Sequence, residues 1–362
     1  MVQVQSPARV LDRHVNDVTT IKHTSDTADR VMLAHGGGGE LMGQLIRDHL
    51  LPALGNPHLS PLADGAVLPT MTGAPVLTTD AFVVQPLEFP GGDIGRLAVC
   101  GTVNDLAMMG ARPVALTSAL ILEEGLPLDV VDRVTASMAS AAAEAGVAIV
   151  TGDTKVIEAN GRTPGLFATT AGLGVRSPEI QLGIDRIEVG DRLLVNGTIA
   201  DHGLAIMSAR EGLAFETDLV SDAAPLNHLV DELMQMGPSI KFLRDPTRGG
   251  LAGVLADIAE GTGQTVEVVE SMIPINRTAR HAAEMLGLDP LSVANEGKCL
   301  VVVAPETAEE ALAVCRRHKY GGQAALIGTV TSDTPAMVEL LTTSGGRRIV
   351  QRPYGEELPR IC

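Results

Sequence analysis

The first half of the chain alternates apolar runs with helical patterns. Residues 94–110 and 128–146 repeat apolar positions at helical spacing, and each segment ends at a glycine. Four runs that are typical of strands lie around these helices, at residues 75–84, 113–122, 147–150 and 166–175. The alternation predicts a first domain of α/β or α+β class.

The second half repeats the alternation after a polar bridge at residues 177–190. Helical patterns cover residues 202–212, 223–237, 250–260 and 277–287. Strand patterns cover residues 192–195, 266–269, 299–303 and 324–330. This half is therefore predicted to form a second domain of α/β class.

Both ends of the chain lack such patterns. Residues 1–35 are interpreted as an N-terminal arm, and residues 336–362 as a mobile tail that two prolines interrupt. The two domains between them are predicted to span residues 36–180 and 181–335. A length of 362 residues fits this two-domain division.

Composition excludes several classes of function. The chain carries a net charge of -17, with 2% aromatic residues and no tryptophan. This composition disfavours binding to nucleic acids and to anionic membranes. No apolar run approaches a membrane span, and Arg9 and Asp12 bring charge into the N-terminal segment, so neither a span nor a signal peptide is predicted. The four cysteines form no CxxC pair, and a reduced, cytoplasmic protein is expected.

Common nucleotide and nucleophile motifs are absent from the sequence. The Gly297-Lys298 pair is followed by Cys299 and does not complete a P-loop, and GxGxxG, GxSxG and HExxH do not occur in a suitable setting. A four-glycine loop, formed by Gly36, Gly37, Gly38 and Gly39, opens directly into a helical pattern. Its amides could hold an anion, or the loop could be a hinge.

Acidic residues recur in small, Gly- or Thr-rich loops. They are Asp64, Asp80, Asp105, Asp153 and Asp245. Magnesium bound to a nucleotide takes a few carboxylates together with phosphate oxygens and water, so the set could be a magnesium site. Each aspartate alone is also typical of a turn or a helix N-cap, and Asp245 could cap the helix that begins near Gly250.

The loops together resemble a known superfamily. LADGAVL, TTDAFVV, NDLAMMGARP, GDTKV and DPTRGGL follow, in order, the landmarks of the proteins that include aminoimidazole ribonucleotide synthetase, selenophosphate synthetase and thiamine-monophosphate kinase. Within this superfamily, AHGGGG near the start and PRIC at the C-terminus resemble the HypE family of [NiFe]-hydrogenase maturation proteins. The resemblance extends from about His35 to Cys362.

The resemblance implies a fold and a reaction. It implies an N-terminal domain whose sheet dimerises, a C-terminal α/β domain, and a cleft that binds ATP and magnesium under the glycine loop. Family members receive a carbamoyl group on their C-terminal cysteine from the carbamoyltransferase HypF and dehydrate the S-carboxamide to an S-cyanate. The cyano group then passes to iron on the HypC–HypD complex. The low-charge strands at 75–84 and 113–122 agree with a sheet that is buried on both faces.

The resemblance also assigns roles to residues. Cys362 would carry the group, Glu296 would be the base, and Lys155 would orient the carboxamide or assist proton transfer. The expected nucleotide contacts are Gly36, Gly37, Gly38, Gly39, Asp64, Asp80, Asn104, Asp105, Gly152, Asp153 and Arg248. The expected magnesium ligands are Asp64, Asp80, Asp105 and Asp245. Lys155 and Glu296 belong to different domains, so a cleft between the domains would have to join them.

Two other functions compete with this interpretation. The chain could be an ATP-dependent kinase or synthetase of the same superfamily that acts on a free small molecule, or a non-catalytic carrier. A free-substrate enzyme has no use for a terminal Pro-Arg-Ile-Cys, and a pure carrier needs no set of acidic loops. Cys100, Cys299 and Cys315 lie in apolar patterns and are interpreted as core residues.

Overall fold

A computed structural model of the chain describes residues 29–159, 163–212, 219–332, 335–354 and 361–362. Most of the predicted arm, at residues 1–28, lies outside the described residues, as do 355–360 of the predicted tail. The strands are β1 (Ala74–Phe82), β2 (Glu88–Phe89), β3 (Gly92–Asp93), β4 (Ala111–Glu123), β5 (Ala148–Ile157), β6 (Leu166–Arg176), β7 (Arg192–Val195), β8 (Ile240–Arg244), β9 (Thr265–Val269), β10 (Leu300–Val303), β11 (Ala325–Thr331), β12 (Val338–Leu341) and β13 (Arg347–Val350).

All the α-helices except α9 overlap with helical patterns of the sequence. They are α1 (Glu40–Leu45), α2 (Leu51–Leu54), α3 (Ile94–Met108), α4 (Leu128–Ala145), α5 (Asp201–Arg210), α6 (Asn227–Met234), α7 (Gly250–Thr262), α8 (Arg277–Leu286) and α9 (Ala308–Arg317). Asp93 begins α3 by accepting hydrogen bonds from the amides of Gly95 and Arg96. Within the described residues, no helix has both the length and the apolar character needed to cross a bilayer.

The N-terminal sheet has the strand order β1-β6-β4-β5. One row across it joins Asp80, Thr170, Ser118 and Gly152 by strand pairing. Since neighbouring strands lie about 4.8 Å apart, the two ends of this row are separated by about 14 Å. β1 and β5 are therefore opposite edges of one sheet, and residues on them do not meet within the chain.

The two faces of the N-terminal sheet differ. Helix α3 packs on β1, β4 and β6, with α4 beside it. Every second residue of β1 points away from the packed face and is exposed, and Leu77 among them is 77% accessible. We call the exposed side of this sheet the open face. In the single chain the expectation of a sheet buried on both faces is thus not met.

The C-terminal domain is built on a sheet with the order β13-β12-β9-β11-β7-β10-β8. Helix α7 covers one face of this sheet, and helices α6 and α9 cover the other, each with its own apolar cluster. The buried strand β10 is apolar at every position, as expected between two layers of helices. The predicted two-domain fold of mixed helix and sheet is confirmed. Most strand pairs in both sheets are antiparallel, so both domains are of the α+β kind.

Six elements were not expected from the sequence. They are β2, β3, β8, α9, β12 and β13. The last two form a hairpin at Val338–Leu341 and Arg347–Val350, inside the segment that was interpreted as a mobile tail. These strands have only four residues each, and charged side chains occupy their outer positions, so their apolar alternation is too short to stand out.

The domains are joined by polar contacts as well as by packing. Arg96 of α3 donates to the carbonyl of Ala223 at 2.7 Å, and its guanidinium pairs with Glu144 at 3.0 Å. Glu144 also pairs with Lys319 of the C-terminal domain at 2.5 Å. Arg96 and Glu144 therefore both link the N-terminal domain to the C-terminal domain.

Candidate active site

A cleft of about 870 Å³ lies where the end of β1 faces the C-terminal domain. Six of the residues expected at the site line it: Asp80, Asp105, Asp245, Arg248, Glu296 and Cys362. They come from β1, α3, the loop after β8, the loop before β10 and the C-terminus. The fold therefore brings together residues that are far apart in sequence.

Three aspartates crowd one side of the cleft. Asp80 and Asp105 belong to the neighbouring elements β1 and α3, and Asp105 accepts a hydrogen bond from the Thr78 hydroxyl at 2.7 Å. Burial and the nearby Asp105 raise the pKa of Asp80 to about 6, although Arg248 opposes the shift. Burial and Asp105 likewise raise the pKa of Asp245 to about 7. The carboxylates destabilise one another's charged forms, so the site favours a cationic ligand.

The three aspartates offer oxygen ligands of the kind that magnesium takes. Within the described ranges, no three His, Cys, Asp or Glu side chains converge closely enough to hold a metal ion by themselves. A magnesium ion that arrives with a nucleotide needs only one or two carboxylates, because phosphate oxygens and water complete its shell. The donor set of Asp80, Asp105 and Asp245 fits such an ion. The alternative for Asp245 is wrong, since Gly249 occupies the N-cap of α7.

Glu296 is buried, and its pKa lies well above the usual value. Burial is the main cause, and the negative charges of Asp245 and Asp222 add to it. Asn104 fixes the backbone beside it, because its amide donates to the carbonyls of Ala224 at 3.0 Å and Glu296 at 3.3 Å. Asn104, which was expected to contact the nucleotide, therefore binds main-chain carbonyls of the protein itself and positions Glu296.

Asp222 is a site residue that the sequence did not reveal. Its carboxylate accepts from the amides of Glu296 at 3.1 Å and Gly297 at 3.2 Å and pairs with Lys298 at 2.9 Å. Burial alone would raise the pKa of Asp222, but Lys298 and His202 lower it below the usual value. A side chain at Gly297 would place its Cβ on the Asp222 carbonyl, so only glycine allows this close approach. Asp222 therefore holds the loop that carries Glu296.

The C-terminus lies in the same cleft. Ile361 is 4% accessible, and Cys362 is partly buried beside it. The Val83 amide, which follows β1, donates to the main-chain oxygen of Cys362 at 3.2 Å. The other three cysteines are buried, and burial raises the pKa of Cys100 and of Cys315 to about 12 and that of Cys299 well above its usual value. Of the four cysteines, Cys362 alone is partly exposed, and the prediction that the other three are core residues is confirmed.

A second group of expected residues lies elsewhere. Lys155, Asp153 and Gly152 belong to β5, at the sheet edge opposite Asp80, and none of them lines the cleft. Lys155 pairs with Asp153 at 2.7 Å and is 59% exposed. The expectation that one chain joins Lys155 and Glu296 is therefore not met. Gly152 has a structural reason to be glycine, because a Cβ there would lie 2.2 Å from the Ser118 carbonyl oxygen.

The glycine loop and Asp64 also lie outside the cleft. Gly36 packs on β5, where an added Cβ would lie 3.0 Å from the Val156 amide nitrogen. Asp64 is exposed in the loop before β1. Like Lys155, the residues Gly36, Gly37, Gly38, Gly39 and Asp64 lie apart from the expected nucleotide and metal ligands that line the cleft.

Comparison with known proteins decides the family. The family models of the N-terminal and C-terminal domains of AIR synthase related proteins match residues 62–175 and 188–339. A carbamoyl dehydratase HypE from Azotobacter vinelandii is 49% identical over 332 residues, which cover 92% of this chain and 97% of the relative. The chain belongs to the HypE family.

Solved HypE structures have the same fold. A crystal structure of the hydrogenase maturation protein HypE in complex with ATP aligns with a TM-score of 0.87 and 45% identity, over 91% of this chain and 99% of that one. A HypE chain from a HypE–HypF complex aligns with a TM-score of 0.74 and 46% identity, over 87% of this chain and all of that one. The two-domain architecture is therefore that of HypE proteins.

Two further residues of this HypE-family chain escaped the sequence analysis. His202 lies in the first turn of α5 and is fully buried. Arg352, beyond β13, lines the cleft and pairs with Asp257 at 2.5 Å. Neither residue belongs to a local motif. Their placement depends on contacts across 95 or more residues of sequence, which no spacing pattern encodes.

Proposed function

We propose that this protein uses ATP to dehydrate an S-carboxamide on Cys362 to an S-cyanate. The observation that carries the proposal is the presence of Cys362, Glu296 and three aspartates in one cleft. The carbamoyl dehydratase name of its relatives and the ATP complex of a HypE support the same reaction. The product would supply cyanide ligands to the [NiFe]-hydrogenase iron during maturation, in the cytoplasm.

The reaction balances with ATP as the second substrate. The carboxamide oxygen attacks the γ-phosphorus of ATP, ADP leaves, and the nitrogen gives up one proton. Loss of phosphate together with the second N–H proton then leaves the nitrile on sulfur. The chain must hold the thioester-like group beside the phosphate and accept the protons.

The residues of the cleft fit these tasks. Cys362 holds the carboxamide, and Arg248 faces the carboxylates with a charge that suits phosphate oxygens. Glu296 is buried and binds a proton more tightly than an exposed glutamate does, as a base for N–H deprotonation requires. A magnesium ion that arrives with the nucleotide and is held by one or two of the carboxylates of Asp80, Asp105 and Asp245 would neutralise the charge of the phosphates.

Removal of one of these carboxylates is expected to weaken binding of magnesium-ATP. Asp80→Asn and Asp245→Asn keep the size of the side chain but remove a charged oxygen ligand. Each variant should bind magnesium-ATP at least about tenfold more weakly, a typical effect of a lost metal-supporting group. Calorimetry measures the affinity, and Asp129→Asn, on the surface beside Arg133, is the matched control. Parental affinity in both cleft variants would refute this metal site.

We further propose that two copies pair through the open face. Thr79 and Ala81 lie on β1, on the side opposite the buried Phe82, and they also line the cleft. The cleft therefore opens towards the face that a second copy would cover. Lys155 and Asp153 lie at the other edge of the same sheet, so a two-fold pair could bring the partner's Lys155 to this chain's Glu296. Lys155 and Asp153 of β5 would then contribute to the active site of the partner chain.

The dimer is expected to depend on the apolar centre of the open face. Leu77→Glu places a charge on a residue that is 77% exposed in the single chain and buried in the proposed dimer. Sedimentation should show the parent as a dimer and Leu77→Glu as a monomer of 37.7 kDa at micromolar concentration. Val67→Glu is the control, since Val67 is 91% exposed in the loop before β1. A monomeric parent would contradict the proposal.

The partners follow from the reaction. A HypE–HypF complex is known among relatives, and we propose that a HypF-type carbamoyltransferase loads Cys362 of this chain. Delivery of the cyano group to a HypC–HypD complex stays a prediction.

A further inference from the structure

A buried hydrogen-bond chain ends at the C-terminus. The Ala223 amide donates to the Ser221 hydroxyl oxygen at 3.1 Å, and this hydroxyl lies 2.8 Å from Nδ1 of His202. Nε2 of His202 lies 2.6 Å from the carbonyl oxygen of Ile361. Four groups thus form one continuous row that starts in the C-terminal domain and ends at the second-last residue of the chain.

The row has one consistent set of donors. The Ile361 carbonyl only accepts, so Nε2 of His202 must carry a proton and donate it. The Ser221 oxygen accepts from the Ala223 amide, and its own proton is free to point at Nδ1. Burial lowers the pKa of His202, which keeps the ring neutral and leaves Nδ1 as the acceptor. Both ring nitrogens of His202 are therefore hydrogen-bonded, and the bond at Nδ1 holds the ring so that Nε2–H points at the Ile361 carbonyl.

The side chains complete a pocket for the last two residues. Ile361 is 4% accessible and belongs to the apolar cluster that contains Phe82, Phe89 and Ala294. The Phe89 ring meets the His202 ring edge-on, with 5.6 Å between the centroids. The Val83 amide holds the main-chain oxygen of Cys362. The dipeptide is thus bound by two main-chain hydrogen bonds and one buried aliphatic side chain.

We propose that His202, Ser221 and Val83 form a binding site for the chain's own C-terminal dipeptide, Ile361-Cys362, with His202 as the positioning residue. The site recognises an extended peptide end through its carbonyl and an aliphatic side chain one position before the cysteine. It holds the Cys362 sulfur in the cleft that contains Glu296. The consequence for dehydration rests on the proposed function, but the binding of the dipeptide does not.

The accessibility of the Cys362 thiol tests the site directly. The other three cysteines are buried, so iodoacetamide alkylation of the folded, full-length protein reports on Cys362. His202→Leu removes the donor to Ile361 and should raise the alkylation rate by about tenfold, the effect of one buried hydrogen bond. His202→Gln keeps a side-chain N–H donor and should return the rate towards the parental value. Such rescue would not occur if His202 only filled space.

Two serines give a matched pair of control variants. Ser221→Ala breaks the row behind His202 and should raise the alkylation rate by about threefold, since the ring loses its fixed direction. Ser208 is also buried on α5, and within the described part of the chain its hydroxyl has no partner, so Ser208→Ala should leave the rate unchanged. Ile361→Ala alters only the peptide end and should raise the rate by a factor comparable to that of His202→Leu.

The outcomes separate this inference from the proposed function. Alkylation needs neither ATP nor a partner, so parental rates in a folded His202→Leu variant and in Ile361→Ala would overturn the binding site. If His202→Leu fails to fold, as circular dichroism would show, Ile361→Ala and Ser221→Ala decide alone. In the loaded protein, His202→Leu and Ile361→Ala should accept the carbamoyl group at the parental rate and dehydrate it about tenfold more slowly. A parent that never forms cyanate would refute the proposed function and leave the binding site standing.

Discussion

Cys362→Ala is expected to abolish carbamoyl loading. The thiolate is the nucleophile that accepts the group, and alanine offers no atom that can form the bond. The main-chain contacts of the C-terminus remain possible, because Val83 and His202 bind backbone oxygens. The variant should therefore keep almost all of its affinity for magnesium-ATP. The mass of the C-terminal peptide after incubation with a HypF-type carbamoyltransferase, carbamoyl phosphate and ATP measures loading.

Cys315→Ala is the matched control for this variant. Cys315 is buried on α9, and burial raises its pKa to about 12, so its thiol is not expected to react. This control should load as the parent does. Carbamoylation of Cys362→Ala near the parental stoichiometry would show that another residue carries the group, and the carrier assignment would be wrong.

The sequence predicted the acidic cleft because its members lie in short local segments. Asp80, Asp105 and Asp245 each stand in a loop whose composition is distinctive, and the resemblance to a family put them in one site. The structure agrees, since all three line the cleft with Glu296 and Cys362. Elements with long apolar periods, such as α3 and α4, were also predicted to within two residues at each end.

Other parts of the site depend on contacts that no local pattern contains. Asp222 and His202 act through hydrogen bonds to residues 74 or more positions away, and each looks like an ordinary polar residue in the sequence. Lys155 shows a different limit of the sequence. Its segment was recognised, but the order of the strands places it at the sheet edge opposite Asp80, which the sequence does not specify.

Glu296→Gln is expected to load normally and then stall as the S-carboxamide. Glutamine keeps the size and the hydrogen bonding of the side chain but cannot accept the N–H protons. Loss of a proton-transfer group typically costs at least about 10²-fold in rate. Loading is unaffected because it takes place in the partner's active site and needs only the Cys362 thiol. Mass spectrometry separates the two states, since dehydration removes one water from the loaded peptide.

Lys155→Ala should stall at the same step if the partner's Lys155 completes the site. Glu306→Gln, on an exposed turn outside the cleft, is the control for loss of a glutamate charge and should dehydrate at the parental rate. Loss of water at the parental rate in both Glu296→Gln and Lys155→Ala would make the two residues structural. The proton acceptor would then have to be sought among Asp153, His35 and a water on the metal.

A mixture of the two defective chains tests the shared site most sharply. In a two-fold dimer that combines Glu296 of one chain with Lys155 of the other, each mixed pair has one site with both defects and one intact site. Random exchange makes half of the dimers mixed, so about a quarter of the parental dehydration activity should return. If both residues served the same chain's site, mixing would restore nothing. The mixing result therefore distinguishes a site shared between two copies from one built within a single chain, whatever the rate of either variant alone.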